Sequence, residues 1–198
     1  MSADPATIAW YTTNSARYVP GFDRRPSRDL DAFLDRLEPG ARILELGCGG
    51  GRDSARIAER GFALDATDGT QAMVDKTIEH TGIPARLLRF EDIAAHGEYD
   101  AVWAHACLIH VPRADFTATL ARVFSALRSG GWHFANFKLG SEEGRDPLGR
   151  LHNFPNAEWL ENAYRIAGFA IVERGIYRGE GADGVERDWL GLTVRRPR

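Results

Sequence analysis

The run Ile43-Leu44-Glu45-Leu46-Gly47-Cys48-Gly49-Gly50-Gly51-Arg52-Asp53 constrains this chain more than any other, because a short strand passes directly into a glycine turn that opens a helix. Glycines let the backbone turn tightly and let a ligand approach the main chain, so a nucleotide-like ligand is expected there. A dinucleotide site calls for G-x-G-x-x-G, which sets a diphosphate on the helix N-terminus. Here the third position of that spacing is Arg52, whereas G-x-G-x-G is met by Gly47, Gly49 and Gly51. A nicotinamide-dependent oxidoreductase is therefore disfavoured, and a ligand-free strand-to-helix connection is the plainer alternative.

Around this turn the chain alternates apolar runs with helical stripes. The spacing predicts strands over 43–46, 62–67, 85–90, 99–106 and 132–137. Helices are expected from Arg52 to Arg60, around Met73, Val74, Thr77 and Ile78, and along Phe116, Leu120, Val123, Phe124 and Leu127. Strands separated by helices need right-handed crossovers and bury a mostly parallel sheet, which is a doubly wound α/β fold. Ahead of it, Ser27 is expected to cap a helix carrying Leu30, Phe33, Leu34 and Leu37 that ends near Pro39-Gly40. Beyond it, a helix with Trp159, Leu160, Ala163 and Ile166 precedes two β-rich runs, 169–177 and 188–194, which predict a hairpin with a long glycine-rich loop. Residues 1–26 combine Trp10, Tyr11, Tyr18 and Phe22 with Pro20 and Pro26 and are expected to form an irregular arm or lid. With 198 residues and 43% apolar content, one domain is expected over 1–198, an arm at 1–26 and a core at 27–198.

A net charge of -3 gives no general attraction to nucleic acid or anionic membrane, and no apolar run reaches the roughly 18 residues of a membrane span. The two cysteines, Cys48 and Cys107, lack metal-ligand spacing and are expected as small buried thiols, so no metal is expected. These features point to a cytoplasmic protein, monomeric or a small homo-oligomer, with no nucleic-acid or membrane partner.

The second predicted strand runs up to Asp68, where a carboxylate can accept from both hydroxyls of a ribose; it can equally cap the next helix. With Ala66-Thr67-Asp68-Gly69 and Phe90-Glu91-Asp92-Ile93 added to the glycine run, the chain resembles class I S-adenosylmethionine-dependent methyltransferases over roughly residues 8 to 195. Within them it is similar to small bacterial members of the methyltransferase-11-like or tellurite-resistance-like kind. The resemblance implies a Rossmann-like seven-stranded sheet of order 3-2-1-4-5-7-6 with strand 7 antiparallel, and S-adenosylmethionine as cofactor. It also implies that Glu45 shapes the turn and approaches the methionine amino group, with Gly47, Cys48 and Gly49 beneath the cofactor. Asp68 would take the ribose and Asp92 the adenine amino group, Ile93 would pack on the adenine ring, and Met73 or Gly69 would cover its other face. Ala104 and His105 would border the methionine part. An arm closing over the sulfonium would employ Tyr11, Arg17 and Tyr18; packing of that arm on the domain is the alternative use of the tyrosines.

Methyl transfer from a sulfonium is an in-line displacement governed by alignment and exclusion of water. If the acceptor must lose a proton, His105 and His110, where the fourth strand delivers its loop, are the candidate bases; His110 can equally pack or cap the next helix. The charged, glycine-bearing segment after the fifth strand offers Lys138, Arg145 and Arg150 to an anionic acceptor, or is solvated surface. The expected activity is methylation of a small molecule, producing S-adenosylhomocysteine. The alternative is a catalytically silent S-adenosylmethionine-binding regulatory or accessory protein.

Overall fold

Parallel strands joined by helices must be covered on both faces, and the strand residues of this chain divide accordingly. The computed structural model describes residues 3–19 and 25–198; Pro20 and Phe22 of the expected arm lie outside the described residues. In chain order the elements are α1 (Pro5–Tyr18), α2 (Leu30–Leu34), β1 (Arg42–Leu46), α3 (Arg52–Glu59), β2 (Ala63–Asp68), α4 (Gln71–Thr81), β3 (Ala85–Leu87) and β4 (Tyr99–Ala104). They continue with α5 (Arg113–Ala126), β5 (Leu127–Lys138), β6 (Gly144–Arg145), β7 (Leu151–His152), α6 (Ala157–Ile166), β8 (Ala170–Glu180) and β9 (Glu186–Arg195). The large sheet has seven strands in the order β3-β2-β1-β4-β5-β9-β8, and β6 and β7 form a separate ribbon. Counted within the large sheet alone this is 3-2-1-4-5-7-6. The first five strands are parallel, and the seventh, β9, runs antiparallel to β5.

Alternation along each strand creates two cores. Leu44 and Leu46, Val102 and Ala104, and Ala135 and Phe137 point toward α5 and α6, where Phe116, Leu120, Val123, Leu160 and Tyr164 complete the larger cluster. Ile43, Ala101, Trp103 and Phe134 point the other way and pack with Leu30, Phe33 and Leu34 of α2 and Ile57 of α3.

Local chemistry changes several expected boundaries. The arm is helical: Asp4 caps α1 by accepting from the Thr7 amide at 2.8 Å, and Pro5 occupies the first turn. Ser27 does not cap α2, which is only five residues long with Asp29 at its N-cap. Strand β3 stops at Leu87, because the chain turns into a short 3-10 helix at Phe90–Asp92. The hairpin strands β8 and β9 absorb most of the expected loop, pairing as far as Glu180 with Glu186.

The carboxylate of Asp53, 5% exposed, joins three parts of this frame. It accepts from the Ser27 amide at 2.8 Å, the Ser27 hydroxyl at 2.7 Å and Trp103 Nε1 at 2.9 Å, tying the segment before α2 to α3 and β4. Truncating it strands three buried donors. Asp53→Ala is expected to destabilise the protein by about 3 kcal/mol, and Trp103→Phe, which removes one donor and keeps the ring, by about 1 kcal/mol. Urea unfolding of the three proteins checks the ranking.

Candidate functional site

A sheet covered on both faces leaves its carboxyl edge as the place where polar groups can gather. Along the α2/α3 face each central strand becomes more polar toward that edge: Ile43 gives way to Glu45, Ala101 and Trp103 to His105, and Phe134 to Asn136 and Lys138. These residues line a cavity of about 1090 Å³, together with the glycine turn, Asp68, the inner side of α1, and Tyr177 and Trp189 of the terminal hairpin.

The turn fits because of what glycine lacks. At Gly47 φ is +73°, and a Cβ there would lie 2.5 Å from the Cys107 Cβ, so neither the conformation nor the space admits a side chain. Cys48 and Cys107 are buried free thiols, and burial pushes both above the ordinary thiol range. Asp68, at the end of β2, takes the Gly49 amide on Oδ2 at 3.1 Å and the Thr70 amide on Oδ1 at 3.0 Å. It thereby holds the turn and starts α4. Burial raises its pKa against those hydrogen bonds, so the carboxylate gains from further donors.

Glu45 is 2% exposed. Burial, followed by the negative charges of Asp53 and Asp68, lifts its pKa from 4.5 to about 8, although Ser54 Oγ donates to it. A carboxyl group in this condition is suited to a cationic partner. Gly69, Met73 and Phe90 complete this half of the cavity. Glycine turn, ribose-type acceptor, apolar flanks and a buried acid form a donor and acceptor set that suits a nucleoside carrying an ammonium group.

Other expected residues lie elsewhere. Asp92 is exposed and off the cavity wall, and Ile93 is buried in the larger core, because the 3-10 turn presents Phe90 inward instead. Ala104 is buried beneath the edge, while Ala106, with φ of +51°, lines the cavity. Arg17 is exposed, since Thr7, Tyr11 and Tyr18 take the inner face of α1. Arg145 is also exposed and pairs with Asp4 at 2.9 Å, fastening the start of α1 to the β6-β7 ribbon.

On the opposite side of the cavity the polar side chains hold one another. Tyr11 OH accepts from Arg150 Nη1 at 2.8 Å and lies 2.9 Å from His110 Nε2. His110 Nδ1 donates to the Leu151 carbonyl at 2.6 Å. Burial keeps that imidazole neutral, so the Tyr11 hydroxyl donates to Nε2 and occupies its lone pair. Arg150, 2% exposed, is bound to Asp146 through Nε and Nη2, and His152 Nε2 also meets Asp146 at 3.1 Å. Lys138 pairs with Asp183 at 2.9 Å. Lys138 and Arg150 therefore line the cavity with their charges compensated, and the segment after β5 is not solvated surface at these two positions. Asn136, Tyr177, Trp103 and Trp189 are wall residues that sequence reasoning missed. The polar pair Asn136 and Lys138, two apart at the end of β5, was the available signal for Asn136; the hairpin residues carried none.

Residues 43–131 match the family model described as a methyltransferase domain. The chain is 38% identical over 110 residues to a ubiquinone biosynthesis O-methyltransferase of Xanthomonas axonopodis pv. citri, covering 52% of this chain and 45% of that protein. It is 35% identical over 127 residues to a trans-aconitate 2-methyltransferase of Deinococcus radiodurans, covering 61% of this chain and 47% of that one. The chain thus spans about half the length of the curated relatives it matches. Among solved structures, the 1,6-didemethyltoxoflavin-N1-methyltransferase of Burkholderia thailandensis, with bound S-adenosylhomocysteine, shares the fold at a TM-score of 0.71 and 20% identity, with 100% of this chain and 94% of that chain covered. No helix among the described residues is long and apolar enough to cross a membrane.

The state of Glu45 carries a stability signature. Its folded pKa of about 8 lies above its ordinary 4.5, so the folded protein binds the extra proton between those values and stability falls as pH rises through that window. Glu45→Gln, which keeps an acceptor for Ser54, is expected to abolish that fall. Urea unfolding at about pH 5.5 and 8 checks it: the wild type should lose on the order of 2 kcal/mol more than the variant across the interval.

Proposed function

We propose that this chain, whose residues 43–131 match a methyltransferase domain, is a class I S-adenosylmethionine-dependent methyltransferase that transfers a methyl group from S-adenosylmethionine to a small-molecule acceptor and releases S-adenosylhomocysteine. The observation that supports it best is the convergence on one cavity of the glycine turn, Asp68 at the end of β2 and the buried acid Glu45. The names of the relatives, an O-methyltransferase and a trans-aconitate methyltransferase, agree with a small acceptor.

When bound, the cofactor supplies a methyl group already activated by its sulfonium. The residues of the chain bind and align. Asp68 receives the ribose hydroxyls while its bonds to Gly49 and Thr70 keep it in place. Phe90 and Met73 enclose the base. Glu45 ionises on meeting the ammonium group, its proton passing to solvent. Tyr11 and Tyr18, on the inner side of α1, close the cavity and keep water from the reacting atoms, the largest service a protein can render to a displacement of this kind. His105 and His110 act as neutral hydrogen-bonding groups, since burial holds His105 at about 4 and His110 well below its ordinary value. We take the chain to act as one domain in the cytoplasm, with α1 as its arm, as a monomer or small homo-oligomer that binds neither nucleic acid nor membrane.

Calorimetric titration tests this reading. S-adenosylmethionine and S-adenosylhomocysteine are expected to bind at micromolar level, and Asp68→Ala to weaken both by about tenfold or more. Repeating the titration at pH 7 in buffers of different ionisation enthalpy should show close to one proton released, a release lost in Glu45→Gln. No binding at millimolar ligand overturns the assignment.

A further inference from the structure

Within the methyl-transfer reading, the acceptor is selected by which polar atoms around the cavity still have something to give, and Asn136 decides that. Its Oδ1 accepts the Ala106 amide at 2.6 Å, which fixes the orientation of the side-chain amide. Its Nδ2 therefore faces His105 Nε2 at 3.1 Å and Tyr177 OH at 2.9 Å. An amide NH₂ has two hydrogens and no available lone pair, so both partners must accept. His105 Nε2 is thus the unprotonated nitrogen of that ring and Nδ1 carries the hydrogen. Tyr177, having accepted, keeps its own hydroxyl hydrogen to donate. Neither His105 Nδ1 nor this hydrogen has a partner among the described residues, and both side chains line the cavity. Burial keeps His105 neutral, at about 4, so the arrangement persists at physiological pH.

Lys138 and Arg28 stand at this wall with their charges met by Asp183 and Asp29, and the lone pairs of His105, His110 and His152 are engaged or covered. Lys138, Trp189 and Tyr177 are directly paired across β5, β9 and β8, which sets their side chains in one row. The Lys138 ammonium lies 5.6 Å from the Trp189 ring centre and the Arg28 guanidinium 4.1 Å from that of Tyr177. The lone pair of His110 is taken by Tyr11, and that of His105 by Asn136. His152 turns Nε2 to Asp146, and its Nδ1 is covered by protein.

We propose that the cavity takes an acceptor that arrives as an oxygen anion, a carboxylate or a hydroxyl acidic enough to be ionised, held by His105 Nδ1–H and Tyr177 O–H, with Asn136 as the positioning residue and no protein base. In the step, a lone pair of the anionic oxygen forms the new O–CH₃ bond while the S–CH₃ bond breaks and leaves its electron pair on sulfur. The negative charge of the acceptor and the positive charge of the sulfonium disappear together, and no proton moves.

The test uses the full chain saturated with S-adenosylhomocysteine, titrated calorimetrically with benzoate, 4-nitrophenolate, and the neutral probes benzamide and aniline. At least one anion is expected to bind about tenfold tighter than either neutral probe, and which anion does so separates a carboxylate from an acidic hydroxyl. Tyr177→Phe should weaken the bound anion by about tenfold with S-adenosylhomocysteine affinity preserved. Asn136→Asp still satisfies the Ala106 amide but draws donation from His105 and Tyr177, and should erase the preference for anions, which a packing role alone would not do. Labelled methyl transfer to the bound anion should follow only the ionisation of that probe between about pH 6 and 8. Equal or better binding of the neutral probes, no binding of either anion at millimolar concentration, or an unchanged anion affinity in Tyr177→Phe overturns the proposal. Failure of the wild type to bind S-adenosylhomocysteine is a different result and overturns the methyltransferase reading instead.

Discussion

Burial of the central sheet on both faces is the constraint on which the rest of this molecule depends. Leu44, Val102 and Ala135 on one side and Ile43, Ala101 and Phe134 on the other make the middle of the sheet mostly apolar, and a polar group there, such as His133, is fully hydrogen-bonded to Val102 and Tyr164. Polarity is displaced to where parallel strands end together, and Glu45, Asp68, His105 and Asn136 gather at that edge. The same displacement explains their chemistry. Groups at such an edge are held partly out of water by the elements that close over them, so carboxyl pKa values rise and imidazole values fall. The cavity is therefore a place of neutral histidines and reluctant carboxylates before anything binds.

The acidic cluster gains meaning in that light. Glu45, Asp53 and Asp68 oppose one another electrostatically, yet they are compensated differently. Asp53 accepts from three buried donors and is part of the frame. Asp68 is held by main-chain amides of the turn and of the start of α4. Among the described residues the Glu45 carboxyl receives a hydrogen bond from Ser54 Oγ alone, and burial leaves it suited to an external cation. Glu45 escapes the cost of a buried charge by holding its proton at neutral pH, so a ligand ammonium would spend part of its interaction energy on releasing that proton.

The side of the cavity built around the glycine turn was legible in the sequence and the opposite wall largely was not. The glycine turn, Glu45 and Asp68 lie within one strand-turn-helix-strand unit, where short-range spacing determines geometry. Asp92, Ile93 and Ala104 lie two or three residues from Phe90 and Ala106, which line the cavity instead, because a 3-10 turn after β3 and the left-handed Ala106 after β4 reset the phase of the side chains. The arm was taken as irregular because its aromatic residues and the Pro20 and Pro26 around its end outweighed the stronger local signal, Asp4 as N-cap followed by Pro5. Tyr177 and Trp189 reach the cavity through a hairpin added at the far side of β5, a tertiary pairing that no local pattern announces.

That division falls close to the limits of the family match. Residues 43–131 contain the glycine turn, Glu45, Asp68, Phe90, His105 and His110, whereas Asn136, Lys138, Arg150, Tyr177 and Trp189 all lie beyond them and Tyr11 and Arg28 before them. The glycine turn is fixed by main-chain geometry, with Gly47 closed against Cys107, and tolerates little change. The wall built from the arm, the β6-β7 ribbon and the hairpin meets the turn where Val19 closes on Gly50, and its polar side chains are fixed chiefly to one another, through Asp146, Asp183 and Asn136. On the proposed function, acceptor specificity would change by replacing partners within that wall while the glycine-turn floor stays as it is. On this view Asn136 is the hinge between the two halves, since its amide oxygen grips Ala106 after β4 while its NH₂ holds both His105 and a hairpin tyrosine.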